Sequence, residues 1–84
     1  MTRSSFLKSY KDLVARLIDA RVAAGITQTQ LAERLGRPQP FVSKYERGNR
    51  RLDVIEFLSI CVAIGVDPAA ILDEVMATFE LGAI

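Results

Sequence analysis

Thr27-Gln28-Thr29-Gln30-Leu31-Ala32-Glu33-Arg34-Leu35-Gly36-Arg37-Pro38-Gln39-Pro40-Phe41-Val42-Ser43-Lys44-Tyr45-Glu46-Arg47-Gly48 is the stretch on which the fold turns. Its first ten residues hold a hydroxyl N-cap (Thr27), an apolar pair (Leu31, Ala32), a third apolar residue (Leu35) and a terminating glycine (Gly36), which together spell one short helix. Gly36-Arg37-Pro38 makes a tight corner. A second short helix then runs from Gln39 to Arg47 and stops at Gly48. Wound at about 100° per residue, it places Val42 and Tyr45 on one face, which we assign to the core. Gln39, Pro40, Ser43, Lys44 and Arg47 fall on the opposite arc. That arc offers amide, hydroxyl, ammonium and guanidinium donors with no carboxylate among them, a set suited to a nucleic-acid groove. Phe41 lies between the two faces and is compatible with either.

Upstream, Ser4 or Ser5 can cap a first helix in which Phe6, Tyr10, Leu13, Val14, Leu17 and Ile18 recur at helical spacing to about Ala24. Downstream of the basic connector Arg47-Gly48-Asn49-Arg50-Arg51, Asp53 caps a fourth helix and Glu56 completes a capping-box pair. That helix is apolar on more than one stripe, through Val54, Ile55, Phe57, Leu58, Ile60, Cys61, Val62 and Ile64. Asp67-Pro68 opens a fifth helix, whose apolar face is Ile71, Leu72, Val75, Met76 and Phe79. Gly25, Gly36, Gly48, Gly65 and Gly82 all fall at expected helix ends, and Leu81 to Ile84 is expected to fray. With no strand-like alternation, the expectation is an all-α, compact five-helix bundle.

At 84 residues the chain is read as a single domain, 1–84, with helices 4 and 5 at about 53–80. A hydrophobic share of 50% with 25% charged residues places it among globular proteins. The lone Cys61 cannot close an internal disulfide, which suits a reducing compartment, and we read it as a small apolar side chain. No stretch approaches a transmembrane span of roughly 18 apolar residues, and Met1 to Lys8 lacks the apolar centre of a signal peptide, so the expected location is cytoplasmic, with no membrane partner.

The net charge of +1 conceals a division. All eleven Lys and Arg lie between Arg3 and Arg51, against four carboxylates, a net of +7. Leu52 to Ile84 holds six carboxylates and no cation. One half can face phosphates while the other faces away. There is no histidine, which excludes Ser-His and Cys-His nucleophiles and the common zinc sites, and no glycine-rich phosphate loop. Asp73 and Glu74 are adjacent and read as a solvated face. No catalytic residue, metal site or cofactor is expected, and an enzyme is not.

From Leu17 to about Leu72 the chain resembles the Cro/CI-type helix-turn-helix family, the lambda-repressor-like phage repressors and bacterial Xre-like regulators. The match is carried by Leu17, Arg21, Gly25, Thr27-Gln28, Leu31-Ala32, Gly36, Val42-Ser43-Lys44-Tyr45-Glu46-Arg47-Gly48, Leu58, Gly65-Val66-Asp67 and Leu72. The resemblance implies that the second helix braces the third, which enters the major groove, and that dimers read half-sites about one helical turn apart. It implies a phosphate contact for Gln28 beside the positive helix start at Thr27, base reading by Gln39 and Lys44, and Ser43 between them. Asn49, Arg50 and Arg51 match a loop that grips the DNA backbone. Arg37 and Arg47 are placed in the same interface, with Pro40 and Phe41 offering apolar contact. Pro38 stands where the family has a hydroxyl cap, and Pro40 replaces a polar base contact. Arg21 and Glu46 match an internal salt bridge.

The resulting expectation is a sequence-specific, double-stranded-DNA-binding transcription regulator, a repressor acting as a homodimer on a palindromic operator. An antitoxin or a restriction controller would share every feature. The rival from another class is a protein-interaction module whose acidic, apolar C-terminal half binds a protein partner. The excess apolar surface of helices 4 and 5 suggests a dimer interface formed by Phe57, Leu58, Cys61, Ile71, Val75 and Phe79.

Overall fold

The computed structural model describes residues 2–79, with side chains from Lys8 onward. Five helices follow in order: α1 Thr2–Ala23, α2 Gln28–Leu35, α3 Gln39–Glu46, α4 Val54–Ile64 and α5 Pro68–Thr78. The side chain of Phe6, the expected end of helix 5 at residue 80, and the expectations for Gly82 and Leu81 to Ile84 lie outside the described residues. Among the described residues no strand occurs, and no single helix is long and apolar enough to cross a membrane.

Local chemistry explains most of the boundaries. Thr27 Oγ1 accepts from the Gln30 N–H at 3.0 Å, and Gln30 Oε1 accepts from the Thr27 N–H at 2.9 Å, a reciprocal capping box. Asp53 and Glu56 repeat it at α4, at 2.7 and 3.0 Å. Asp67 caps α5 through the Ala69 N–H, with Pro68 in the first turn. Gly36 ends α2 at φ 67°, a left-handed conformation that lets Arg37 N–H reach back to the Ala32 carbonyl and turns the chain into α3. The start of α1 differs from expectation. The helix begins at Thr2, so Ser4 and Ser5 lie inside it; nothing in the preceding residues breaks a helix, and a hydroxyl residue caps only where the upstream backbone leaves helical geometry. At the other end, α5 stops at Thr78, where Phe79 is extended.

One core gathers residues from every helix. Leu17, Leu31, Val42, Tyr45, Ile60 and Cys61 are fully enclosed, and Val14, Ile26, Ala32, Phe41, Phe57, Ile64 and Ile71 complete the cluster. α2 lies against α3 and α4, so Leu31 and Ala32 form the floor on which Val42 and Tyr45 rest. Electrostatic ties close the bundle at its edges. Arg16 of α1 bridges Asp12 and Glu74 at 3.2 Å each, and Thr78 Oγ1 donates to Asp12 at 3.2 Å, pinning α5 across α1. Asp73 and Glu74 are both exposed, as read, with Glu74 making this one surface ion pair. Arg34 donates to the Ala63 carbonyl at 2.9 Å, the last turn of α4.

Phe57, Cys61 and Ile71, expected at a dimer interface, belong to this core instead. Steps of three and four along α4 send Phe57, Ile60, Cys61 and Ile64 inward, because the helix must cover α2 and α5 at once. The opposite side stays uncovered: Val54, Ile55, Leu58 and Val62 on α4, and Leu72 and Met76 on α5, are exposed, with Val62 77% accessible. Val75 and Phe79 are half-buried.

Candidate nucleic-acid interface

The α3 helix presents Gln39, Pro40, Lys44 and Arg47 to solvent, with Ser43 half-buried between them. Its first turn has no side-chain cap, since Pro38 occupies the N-cap position; the Pro38 carbonyl accepts from the Phe41 N–H at 2.9 Å. Pro40 in the same turn costs no helical hydrogen bond, because N–H groups there lack intrahelical partners. Ser43 Oγ donates to the Pro40 carbonyl at 3.2 Å, tightening the turn.

Beneath this face runs a chain of polar contacts. Arg21 donates from Nε and Nη2 to the two Glu46 oxygens at 2.7 and 3.1 Å, and from Nη1 to the Ile26 carbonyl at 2.8 Å. Glu46, with a side chain only 5% accessible, also accepts from Gln28 Nε2 at 2.8 Å. Gln28 Oε1 in turn accepts from Gln39 Nε2 at 2.9 Å. The carboxylate can only accept, so each amide in the sequence is turned one way. Gln39 is thereby left with its oxygen and one N–H. Both amide atoms of Gln28 serve this internal bracing, a role not evident in the sequence.

Phe41 is 8% accessible and packs in the core with its ring 5.7 Å from that of Tyr45. This corrects its placement among groove-facing residues. Its remaining edge is covered by cations, with the Arg37 and Arg50 guanidinium carbons 4.0 and 4.9 Å from the ring centroid. Both arginines also reach Glu56. Arg50 Nη1 donates to Oε1 at 2.9 Å and Nη2 lies 2.8 Å from Oε2, while Arg37 Nη1 lies 3.5 Å from Oε2. The Arg50 fork holds the Glu56 carboxyl down at about 2.

The connector after α3 is anchored on Tyr10. Its hydroxyl accepts from the Leu52 N–H at 3.1 Å and donates to the Arg50 carbonyl at 3.4 Å, and the Arg51 guanidinium stacks 4.7 Å from its ring. Asn49 is exposed, its N–H bonded to the Lys44 carbonyl at 2.8 Å. Gln39, Ser43 and Lys44 thus come from α3, Arg47 and Asn49 from the connector that follows it, and Arg51 is turned onto Tyr10 of α1. Arg34 does not join them, being turned toward α4. Tyr10 and Glu56 are the participants that sequence reading missed; Tyr10 had only its place in an apolar stripe, and Glu56 only its capping spacing.

The family model for a helix-turn-helix domain matches residues 12–73. Among solved structures, an XRE-family-like protein from Pseudomonas syringae pv. tomato is 52% identical, with 94% of this chain and 96% of that one covered and a TM-score of 0.90. The clp gene regulator ClgR of Corynebacterium glutamicum is 29% identical over 87% of this chain and 95% of its own, at a TM-score of 0.74. The restriction-modification controller C.AhdI of Aeromonas hydrophila is 27% identical over 74% and 94%, at 0.67. No match was found among curated proteins.

Proposed function

Since the chain belongs to the Xre-like helix-turn-helix family of DNA-binding transcription regulators, we propose that it is a repressor that reads a palindromic operator as a homodimer, with α3 in the major groove. The observation that carries this reading is the preset Gln39 amide. With one N–H held by Gln28, its oxygen and second N–H are free for the bidentate pair that an adenine edge accepts, worth roughly 1 to 3 kcal/mol in discrimination. Lys44 and Ser43 read or approach the neighbouring bases. Arg47, Asn49 and Arg51 meet phosphate, aided by the α2 start at Thr27 and Gln28.

The uncovered stripe Val54, Ile55, Leu58 and Val62 is proposed as the dimer face. Glu56, the only charged residue of α4, is turned away toward Arg50, so the stripe is uncharged and best matched by an equally uncharged copy of itself. ClgR and C.AhdI are both regulators by name, and control of a restriction system is an alternative setting for the same activity.

Selection from a randomised duplex pool at two salt concentrations tests the reading. Enrichment of a palindrome that is lost in Gln39→Ala supports it. Absence of any enriched sequence, with binding that vanishes at modest salt, would overturn it in favour of a protein partner for the apolar stripe.

A further inference from the structure

Two of the cations best placed to meet DNA are already engaged. Arg50 spends Nη1 on Glu56 Oε1 and the Arg51 carbonyl, at 2.9 and 2.8 Å, and Nη2 on Glu56 Oε2 at 2.8 Å. Arg37 shares the same carboxylate at 3.5 Å, and both guanidiniums lie on Phe41, two residues from Gln39. The carboxylate is itself held in place, because Oε1 also accepts the Asp53 N–H at 3.0 Å in the α4 capping box. Glu56 is thus a rigidly mounted anion at the edge of the interface, with a side chain 14% accessible, while the arginines remain about 40% accessible.

A guanidinium paired with a carboxylate contributes little to counterion release, because its charge is already neutralised. It also has fewer donors left for a phosphate oxygen: Arg50 keeps its Nε–H and one Nη2–H. We infer that Glu56 is a positioning residue that competes with DNA phosphate for Arg37 and Arg50, and so suppresses sequence-independent binding. A non-specific duplex must break the Arg50–Glu56 fork to gain the full charge of Arg50. An operator that satisfies Gln39 and Lys44 holds the protein without that exchange. The consequence is a larger gap between operator and random DNA than the +7 half of the chain would otherwise allow. This inference rests on the DNA-binding reading above.

Glu56→Gln is the informative change. Glutamine keeps an oxygen for the Asp53 N–H, as Gln30 does for Thr27 in the same capping geometry of α2, so the fold is retained while the charge is lost. Binding of wild type, Glu56→Gln and Glu56→Gln/Arg50→Ala to a random-sequence duplex and to the selected operator is measured between 50 and 200 mM salt. The expected result is tighter binding of Glu56→Gln to random duplex, with a log–log salt slope steeper by about 1 to 2 and a smaller operator preference. Adding Arg50→Ala should return most of the slope. An unchanged slope, or weaker binding to both duplexes, would overturn the inference and leave Glu56 as a helix cap only. If no operator is enriched, the sequence-specific reading fails by itself, and the random-duplex slopes still decide the role of Glu56.

Discussion

Gln39 is held by Gln28, its amide nitrogen donating to the Gln28 oxygen at 2.9 Å, and Gln28 is itself oriented by the buried Glu46. A residue on the bracing helix therefore sets how a residue on the exposed helix meets its surroundings. Gln28→Ala should lower operator affinity by roughly 1 kcal/mol through the lost preorganisation. Its affinity for random duplex and its salt slope should stay unchanged. Competition binding with operator and random duplexes checks this; a uniform loss on both would mean that Gln28 acts through phosphate.

The Arg21–Glu46 pair carries a different burden. Its side chains are 12% and 5% accessible, so removing the cation strands a carboxylate and the Ile26 carbonyl together. Arg21→Ala should cost about 3 to 5 kcal/mol in urea unfolding. Arg21→Lys should recover part of that, since an ammonium restores charge but not the two-pronged geometry.

Acid should weaken the fold through Glu56. Its folded value of about 2 is below its ordinary value of 4.5, so its contribution is complete above about pH 4.5 and is lost as pH falls through about 2. Thermal unfolding followed from pH 6 to pH 2 should show wild type losing stability toward acid. Glu56→Gln should show a flatter profile over that window, though from a lower plateau.

Two neighbouring residues of α4 should part company. Phe57 is buried, and Phe57→Ala should destabilise the chain by about 3 to 5 kcal/mol. Leu58 lies on the uncovered stripe beside Ile55 and Val62, so Leu58→Lys should leave stability within about 0.5 kcal/mol at dilute concentration and abolish association in sedimentation. Wild type that remains monomeric at tens of micromolar, both free and on operator DNA, would remove the dimer from the proposal.

Five helices, the caps of α2, α4 and α5 and the helix-turn-helix were legible in the chain because each depends on residues within one or two turns. Thr27, Gly36, Asp53, Gly65 and Asp67 act on backbone groups a few positions away, and Val42 and Tyr45 separate from Gln39, Ser43 and Lys44 by the helical period alone. What the chain could not decide was how residues far apart in sequence share partners. Phe41 lay on the boundary of two faces until Arg37 and Arg50 closed over it. Phe57 and Leu58 are adjacent apolar residues whose fates differ because α2 and α5 cover only one side of α4. Arg50 looked like a free cation, and Glu56 like a cap, until the connector folded back onto the first turn of α4 and paired them. Local propensity and periodicity act within a helix and are written in its own residues; the pairing of charges and the choice of buried face arise only when helices meet, and the tertiary structure alone decided them.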